Sequence, residues 1–405
     1  MRFSGTDAEI REKSCVGSLK IGGALHSRSA PALIDSPARR HPVLGQDILA
    51  SGAIMADRLN PHWVLARTPP EGWPVDADFA WRETPAPSPG PGQMLTRTIY
   101  LSLDPYQWGR RRRGVEAPGE VCHGRTVSQV VESRLDGYAP GDFVFNTNGW
   151  QTYGLTGEGI STFGYMFPRK LDPALAPISS AVGVMGMLGL TAYAGLYVQC
   201  APKPGETVVI SAASGGVGQV AGQLAKLRGC RVVGIAGRAE KCAYVKEALG
   251  FDECVSHLEP DFAERLKAAC PDGVDVYFEN VGGRVFEAVL GLFNTGARIT
   301  LCGLASQYGA MGEDIIQAWK NAGEKTFSER NMQVHPLFVG DYVASHQETF
   351  LAEMAGWLRD GQIRYREDIH DGLKSAPHAF QAMLAGGTFG KTLVQVSEDP
   401  TKRGG

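Results

Sequence analysis

Between Thr207 and Ile235 short apolar runs alternate with a segment of helical period. Thr207 to Ser211 is apolar and β-branched, the composition of a strand buried on both faces of a parallel sheet. A turn of small residues follows, Ala213-Ser214-Gly215-Gly216-Val217-Gly218, and then a segment with Val220, Leu224 and Leu227 on one helical face. A second apolar run, Arg231 to Ile235, completes a β-α-β unit. Further strands are predicted at 253–256, 274–279 and 298–301, most of them followed by a glycine or polar turn such as Asn280-Val281-Gly282-Gly283. Upstream the pattern is different. Strands at 63–67, 93–102, 128–133 and 142–146 are split by Pro and Gly turns, among them PAPSPGPG at 85–92, which indicates an irregular antiparallel barrel. A helix near Phe350 leads back to barrel-like residues, and a last strand at 391–396 rejoins the first part. The pattern therefore predicts an α/β protein in which a doubly wound parallel-sheet domain, 178–345, is inserted into a discontinuous barrel domain, 57–177 and 346–405. The first 56 residues lack a clear amphipathic period. They are expected to be poorly ordered and to precede a native start at Met55.

The glycines of the 213–218 turn have separate tasks. Gly215 lets backbone approach a pyrophosphate, Gly218 lets helix pack on strand, and the helix N-terminus offers N–H groups and a positive dipole end to phosphate. This points to a dinucleotide. About 20 residues past such glycines an NAD site places an acidic residue on the ribose. Here the chain has Gly237-Arg238-Ala239-Glu240-Lys241. Arg238 and Lys241 suit a 2′-phosphate, which favours NADPH over NADH. Two alternatives stay open: both cations solvated on a turn, or Glu240 aimed at the ribose.

At 405 residues the chain is long enough for two domains. Its net charge of −3 gives no general attraction to nucleic acid or anionic membrane. Arg110 to Arg113 form the one dense basic run, read as a solvated loop or an anion site because no stacking aromatics repeat around it. No apolar stretch reaches membrane-spanning length. The 8 cysteines show no CxxC pair, which argues for a reducing, cytoplasmic compartment and against a disulfide framework. Cys122-His123 is the only Cys/His neighbour pair, and adjacent strand residues face opposite ways, so no metal site is expected.

Several segments in order resemble one family. LSLDPYQWGR (101–110), GMLGLTAYAGL (186–196), AASGGVG (212–218), ENVGG (279–283), CGLASQY (302–308) and WLRDGQIRYREDIHDGLKSAPHAF (357–380) are similar to motifs of the medium-chain dehydrogenase/reductase superfamily. The branch they resemble is zinc-free and NADPH-dependent, with the prostaglandin reductases, plant alkenal reductases and bacterial curcumin reductase. The resemblance implies a Rossmann domain, a GroES-like barrel domain and a homodimer. It also implies reduction of the C=C bond of α,β-unsaturated aldehydes and ketones by hydride transfer to the β-carbon. It marks Tyr308 and Tyr106 as catalytic, with Tyr106, Trp150 and Tyr153 on the substrate side; for Trp150 and Tyr153 ordinary core packing is an equal alternative. For the cofactor it marks Gly215, Gly216, Val217, Gly218, Arg238, Lys241, Asn280, Cys302, Gly303, Ser306, Gln307, Tyr308, Leu337, Phe338 and Val339. Two positions depart from the family: His257 stands where a tyrosine is usual, and Thr388 replaces an asparagine. A quinone reductase and a non-catalytic NADPH-binding protein of the same fold remain as rivals, and a zinc alcohol dehydrogenase is a distant third.

Overall fold

A computed structural model describes residues 58–162, 164–310 and 314–402. The expectation for residues 1–56 lies outside the described residues. The first part holds a hairpin, β1 (Leu59–Leu65) with β2 (Phe79–Pro85), and strands β3 (Gln93–Ser102), β4 (Thr126–Ser133), β5 (Phe143–Asn146), β6 (Tyr153–Gly157) and β7 (Arg169–Leu171). A helix, α1 (Tyr106–Arg112), lies between β3 and β4.

The second part alternates strand and helix. After α2 (Met187–Tyr193) come β8 (Thr207–Ile210), α3 (Gly218–Leu227), β9 (Arg231–Ala236), α4 (Ala239–Glu247), β10 (Glu253–Ser256), α5 (Phe262–Ala269), β11 (Val274–Glu279), α6 (Gly283–Leu290), β12 (Phe293–Leu301), α7 (Ile315–Glu329) and β13 (Gln333–Pro336). The long α8 (Gly340–Arg359) then leads to β14 (Glu367–Asp371), α9 (Ala376–Leu384) and β15 (Lys391–Gln395).

Strands β8 to β13 form one six-stranded sheet in the order β10-β9-β8-β11-β12-β13, every pair parallel. Its central strands β8, β9 and β11 are almost wholly buried, as their apolar runs require, while β13 at one edge keeps exposed residues. Val208, Ile210, Val232, Val276 and Phe278 enter one core with α2, α3 and α8. Val209, Val233, Ile235 and Tyr277 enter the other, with α5, α6 and Trp319 of α7. On α3, Val220 and Leu224 are fully buried, but Leu227 at the last turn is half-exposed, where the helix leaves the sheet. Gly222 carries the close approach instead: a Cβ there would collide with the Phe251 ring.

The other sheet runs β14-β15-β3-β4-β5-β7 with β6 also on β3. It is antiparallel except for β14 and β15, which pair in parallel. The last strand does return to the first part, pairing Leu393 with Ser102.

One element differs from expectation in kind. The basic run is not a loop: Arg110 to Arg112 end α1, and Arg111 is fully buried. Its guanidinium lies 4.6 Å from the Trp150 ring centre, 5.0 Å from that of Phe380 and 5.6 Å from that of Phe79. Glu116 pairs with it at 3.1 Å. Rings brought in from three distant segments supply the aromatics that the local sequence lacks. Among the described residues no helix is long and apolar enough to cross a membrane.

Candidate active site

The glycine turn leaves the carboxyl end of β8. Ala212 adopts φ 48°, an uncommon left-handed conformation for a residue with a Cβ, and Gly215 N–H closes on its carbonyl at 2.9 Å. A Cβ on Gly218 would collide with that same carbonyl, and one on Gly216 with Leu188. Gly215 has more room, its added Cβ lying 3.2 Å from Ala212 O. Val217, the N-cap of the ten-residue α3, makes no side-chain cap bond; Gln219 N–H bonds to Gly215 O at 3.0 Å and Val220 N–H to Val217 O at 3.1 Å, so the N–H groups of Val217 and Gly218 are the ones that suit an anion.

Beyond β9, the 2′-phosphate candidates separate. Lys241 is buried and donates to Gly386 O at 2.8 Å, so it ties the parallel-sheet half to the loop before β15. Burial and the neighbouring Arg238 lower its pKa. Arg238 is exposed and faces the Glu240 carboxylate at 3.8 Å, an ion pair of little energetic weight. His257 is half-buried, and its Nε2 would lie 3.7 Å from a Cβ on Gly237. Burial, then Arg284 and Lys241, push its pKa down. Thr388 accepts from the Thr392 hydroxyl at 2.9 Å. Gly215, Gly216, Lys241, His257 and Thr388 line one cavity of about 350 Å³ together with Leu103 to Pro105. Glycines that leave room for a backbone-bound anion, beside an ammonium and an imidazole, fit a phosphorylated dinucleotide.

At the carboxyl end of β11 the sequence reading missed an organising residue, Glu279. It is fully buried and accepts from Val281 N–H at 2.8 Å, Gly282 N–H at 3.0 Å, the Tyr277 hydroxyl at 3.1 Å and Trp319 Nε1 at 3.2 Å. Burial raises its pKa against those donors. Asn280 is held by the same strand end: its side-chain amide donates to Ser211 O, and its N–H to the Ser211 hydroxyl, both at 2.7 Å.

The 302–308 turn rests on this base. Cys302 and Gly303 N–H reach Glu279 O at 2.9 and 3.1 Å, and Ser306 bonds to Val281 O. Gln307 Oε1 is buried with no hydrogen-bond partner, an acceptor left for a donor such as a carboxamide. The Tyr308 hydroxyl lies against Gly303, 2.9 Å from where a Cβ would stand. Burial and the nearby Cys302 thiol push its pKa up to about 12. Its ring packs on the core of the first half. Arg112 Nη1 donates to Tyr308 O at 2.9 Å and Ala310 O at 2.6 Å, while Gly72 N–H donates to Gly309 O at 3.0 Å. Arg112 thereby clamps the tyrosine turn.

A second cavity, of about 720 Å³, lies between α1, this turn and the start of α8. Gly109, Arg112, Cys302, Gly303, Gln307 and Tyr308 line it, with Leu337 and Phe338. Phe338 is exposed and meets Tyr165 edge-on at 5.2 Å, and Val339 caps α8. Tyr106 opens α1, next in the chain to Pro105 of the first cavity, its hydroxyl 2.7 Å from His123 Nε2. Burial holds that phenol well above its ordinary pKa, partly offset by Arg125. Beneath it Asp104 accepts from Ser102 at 2.6 Å and pairs with Arg125 at 2.9 Å and Lys391 at 3.1 Å. Burial opposes its ionisation, but the two cations hold the carboxyl well below the usual range.

Two expected substrate-side residues sit in the surroundings of the packing alternative. Trp150 is fully buried under Arg111 and stacked on Phe79 at 5.3 Å. Tyr153 sits on β6, its backbone bonded to Asn60. Neither lines either cavity. No local signal separates a tryptophan that walls a cleft from one that supports an arginine.

Cys122 and His123 do not suit a metal. Among the described residues there is no group of three or more His, Cys, Asp or Glu able to hold one. The Cys122 thiol is buried, its pKa raised to about 11 by burial, and His123 Nε2 is taken by Tyr106.

Comparison with known proteins adds the family. Residues 61–161 match a family model described as the N-terminal domain of oxidoreductase, and 216–347 one described as zinc-binding dehydrogenase. The chain is 44% identical over 350 residues to the NADPH-dependent curcumin reductase of Escherichia coli, covering 84% of this chain and 98% of that protein. It is 35% identical over 355 residues to the NADP(+)-dependent 2-alkenal reductase of Nicotiana tabacum, covering 85% of this chain and all of that protein, 100%. The crystal structure of CurA in complex with NADPH from Vibrio vulnificus superposes with a TM-score of 0.76 at 42% identity, over 84% of this chain and 100% of that one. The chain belongs to the medium-chain dehydrogenase/reductase superfamily, in the branch that contains the curcumin and 2-alkenal reductases.

Proposed function

We propose that this protein is an NADPH-dependent reductase of the C=C bond in α,β-unsaturated aldehydes and ketones. The observation that carries the reading is the Tyr308 hydroxyl against Gly303, on the wall of the larger cavity at the carboxyl edge of the parallel sheet. Relatives named as curcumin, 2-alkenal and pulegone reductases support the reaction class.

NADPH supplies the hydride. The chain's own residues do the rest. Gly215 to Gly218 and the start of α3 hold the pyrophosphate, and Lys241 and His257, with Arg238, hold the 2′-phosphate. Asn280, Cys302, Gly303, Ser306 and Gln307, with Leu337 to Val339 and Thr388, flank the remainder of the cofactor. Tyr308 donates to the carbonyl oxygen as negative charge moves onto it, and Tyr106 faces it from the first half. The phenol pKa of Tyr308 keeps its proton in place at neutral pH.

Residues 57–177 with 346–405 form the catalytic half and 178–345 the cofactor half. The α8 helix runs unbroken through that second boundary. The chain works as a homodimer; support comes from β13, a strand of the parallel sheet paired on one side only among the described residues. Free, mostly buried thiols suit the cytoplasm.

The test is oxidation of NADPH and NADH by purified protein with 2-alkenals, enones and quinones, with and without a chelator. Enal or enone turnover with NADPH that survives chelation is expected. Turnover confined to quinones, or lost on chelation, overturns the proposal.

A further inference from the structure

We propose that His123 is the positioning residue for Tyr106: its Nε2–H donates to the phenol oxygen, turns the phenol's own hydrogen toward the cleft and makes Tyr106 the acid that protonates the substrate α-carbon. The inference rests on the double-bond reductase reading above. Three observations carry it. The Tyr106 hydroxyl and His123 Nε2 are 2.7 Å apart, so one of them donates to the other. His123 is buried and its backbone is pinned on both sides, its N–H on Glu116 Oε2 at 3.1 Å and its carbonyl on Arg111 Nη2 at 3.3 Å. Along the chain Tyr106 follows Leu103 to Pro105, which line one cavity, and precedes Gly109 and Arg112, which line the other.

The surrounding charges hold the imidazole neutral. Facing the pair are Arg110 and Arg111 of α1, Arg125 at the start of β4, Asp104 at the end of β3 and Glu116 after α1. Asp104 is already paired with Arg125 and Lys391, and Glu116 with Arg111. The Arg125 guanidinium also lies 5.4 Å from the Tyr106 ring centre. Burial and the three arginines disfavour a proton on the imidazole. A second positive charge on His123 is therefore costly, while Arg125 offsets part of the burial penalty that a transient negative charge on Tyr106 meets. The pair passes through phenolate beside neutral imidazole, not phenol beside imidazolium.

After hydride has reached the β-carbon, the former C=C electron pair lies on the enolate. The Tyr106 O–H bond then breaks, its proton bonds to the α-carbon, and the O–H pair stays on the phenol oxygen. That phenolate accepts the His123 Nε2–H and is balanced by Arg125. Water returns the proton after the saturated product leaves.

The bond direction is read without cofactor or substrate. Protein labelled with ¹⁵N-histidine is examined by long-range ¹H–¹⁵N correlation, with His123 identified among the nine histidines by its loss in His123→Gln. A neutral Nε2–H tautomer from about pH 6 to 9 is expected; the Nδ1–H tautomer, or an imidazolium in that range, overturns the proposal.

Kinetics on an enone test the consequence. His123→Gln keeps an N–H donor and is expected within about 3-fold of wild-type kcat. His123→Leu is expected to lose roughly 10- to 100-fold, part of what a positioned acid contributes, with NADPH affinity unchanged and a larger solvent deuterium effect. Leucine at wild-type kcat, or glutamine as impaired as leucine while both bind NADPH normally, overturns it. Failure of the wild type to reduce any enone overturns the function instead, and leaves the tautomer result standing.

Discussion

Gly303→Ala is the perturbation that separates position from chemistry at this site. An added Cβ would stand 2.9 Å from the Tyr308 hydroxyl and 3.8 Å from Asn280 O. Ordinary contact between carbon and oxygen needs about 3.4 Å, so the hydroxyl must retreat by roughly 0.5 Å. It has little freedom to do so. The ring packs on the first-half core, and Arg112 and Gly72 hold the carbonyls of residues 308 to 310. The strain therefore goes into the angle at which the hydroxyl meets the substrate. Misplacement by about 1 Å can cost 100-fold, so half of it predicts a kcat lower by about 10-fold, near 1.4 kcal/mol. Gly303 does not have a positive φ, so the backbone tolerates alanine and stability should change by less than about 1 kcal/mol. The assay is steady-state enone reduction with NADPH affinity measured separately. Tyr308→Phe removes the donor itself and should cost about 100-fold or more. The double variant should be no worse than Tyr308→Phe, because both changes act through one hydroxyl. A Gly303→Ala enzyme at wild-type kcat, or full additivity with Tyr308→Phe, would refute the reasoning.

Three further outcomes are expected. Lys241→Ala should weaken NADPH by roughly 10- to 100-fold, the worth of one charge-assisted hydrogen bond, and leave NADH unchanged by fluorescence titration; equal loss of both would remove it from the 2′-phosphate. His257 has a lowered pKa in the free protein, while a bound 2′-phosphate favours its imidazolium. Proton uptake then accompanies NADPH binding, so affinity should tighten as pH falls until His257 is protonated in the free protein as well, and His257→Asn should flatten that slope. Asp104 has a folded pKa below its ordinary 3.8. Its contribution to stability is thus complete above that value and is lost as pH falls below it. Asp104→Asn should cost about 3 kcal/mol at pH 7 by stranding the buried Lys391 and Arg125, and should flatten the acid limb of a denaturation series.

The parallel sheet was the most legible part of the chain. The strands expected at 253–256 and 274–279 are β10 and β11 without change; in β11 the buried Val274, Val276, Tyr277 and Phe278 give the mostly apolar run of a strand covered on both faces. Strand β12 begins earlier than expected, at Phe293, where Asn294 to Gly296 interrupt the apolar pattern and the register with β11 shifts. Helix α1 was not legible: its charged residues carry no apolar period, and the rings that bury Arg111 come from residues 79, 150 and 380. The site divides the same way. The glycines declare themselves locally through sterics. Glu279, Arg112 and His123 act through contacts with segments set by the fold, so neither spacing nor residue type marks them in advance.

Hydride destination is the most direct test of the proposed reaction. NADPH carrying deuterium at C4 of the nicotinamide is supplied with an enone, and the product is examined by NMR. The account predicts a saturated ketone with deuterium on the former β-carbon. Deuterium on the former carbonyl carbon of an unsaturated alcohol would contradict it.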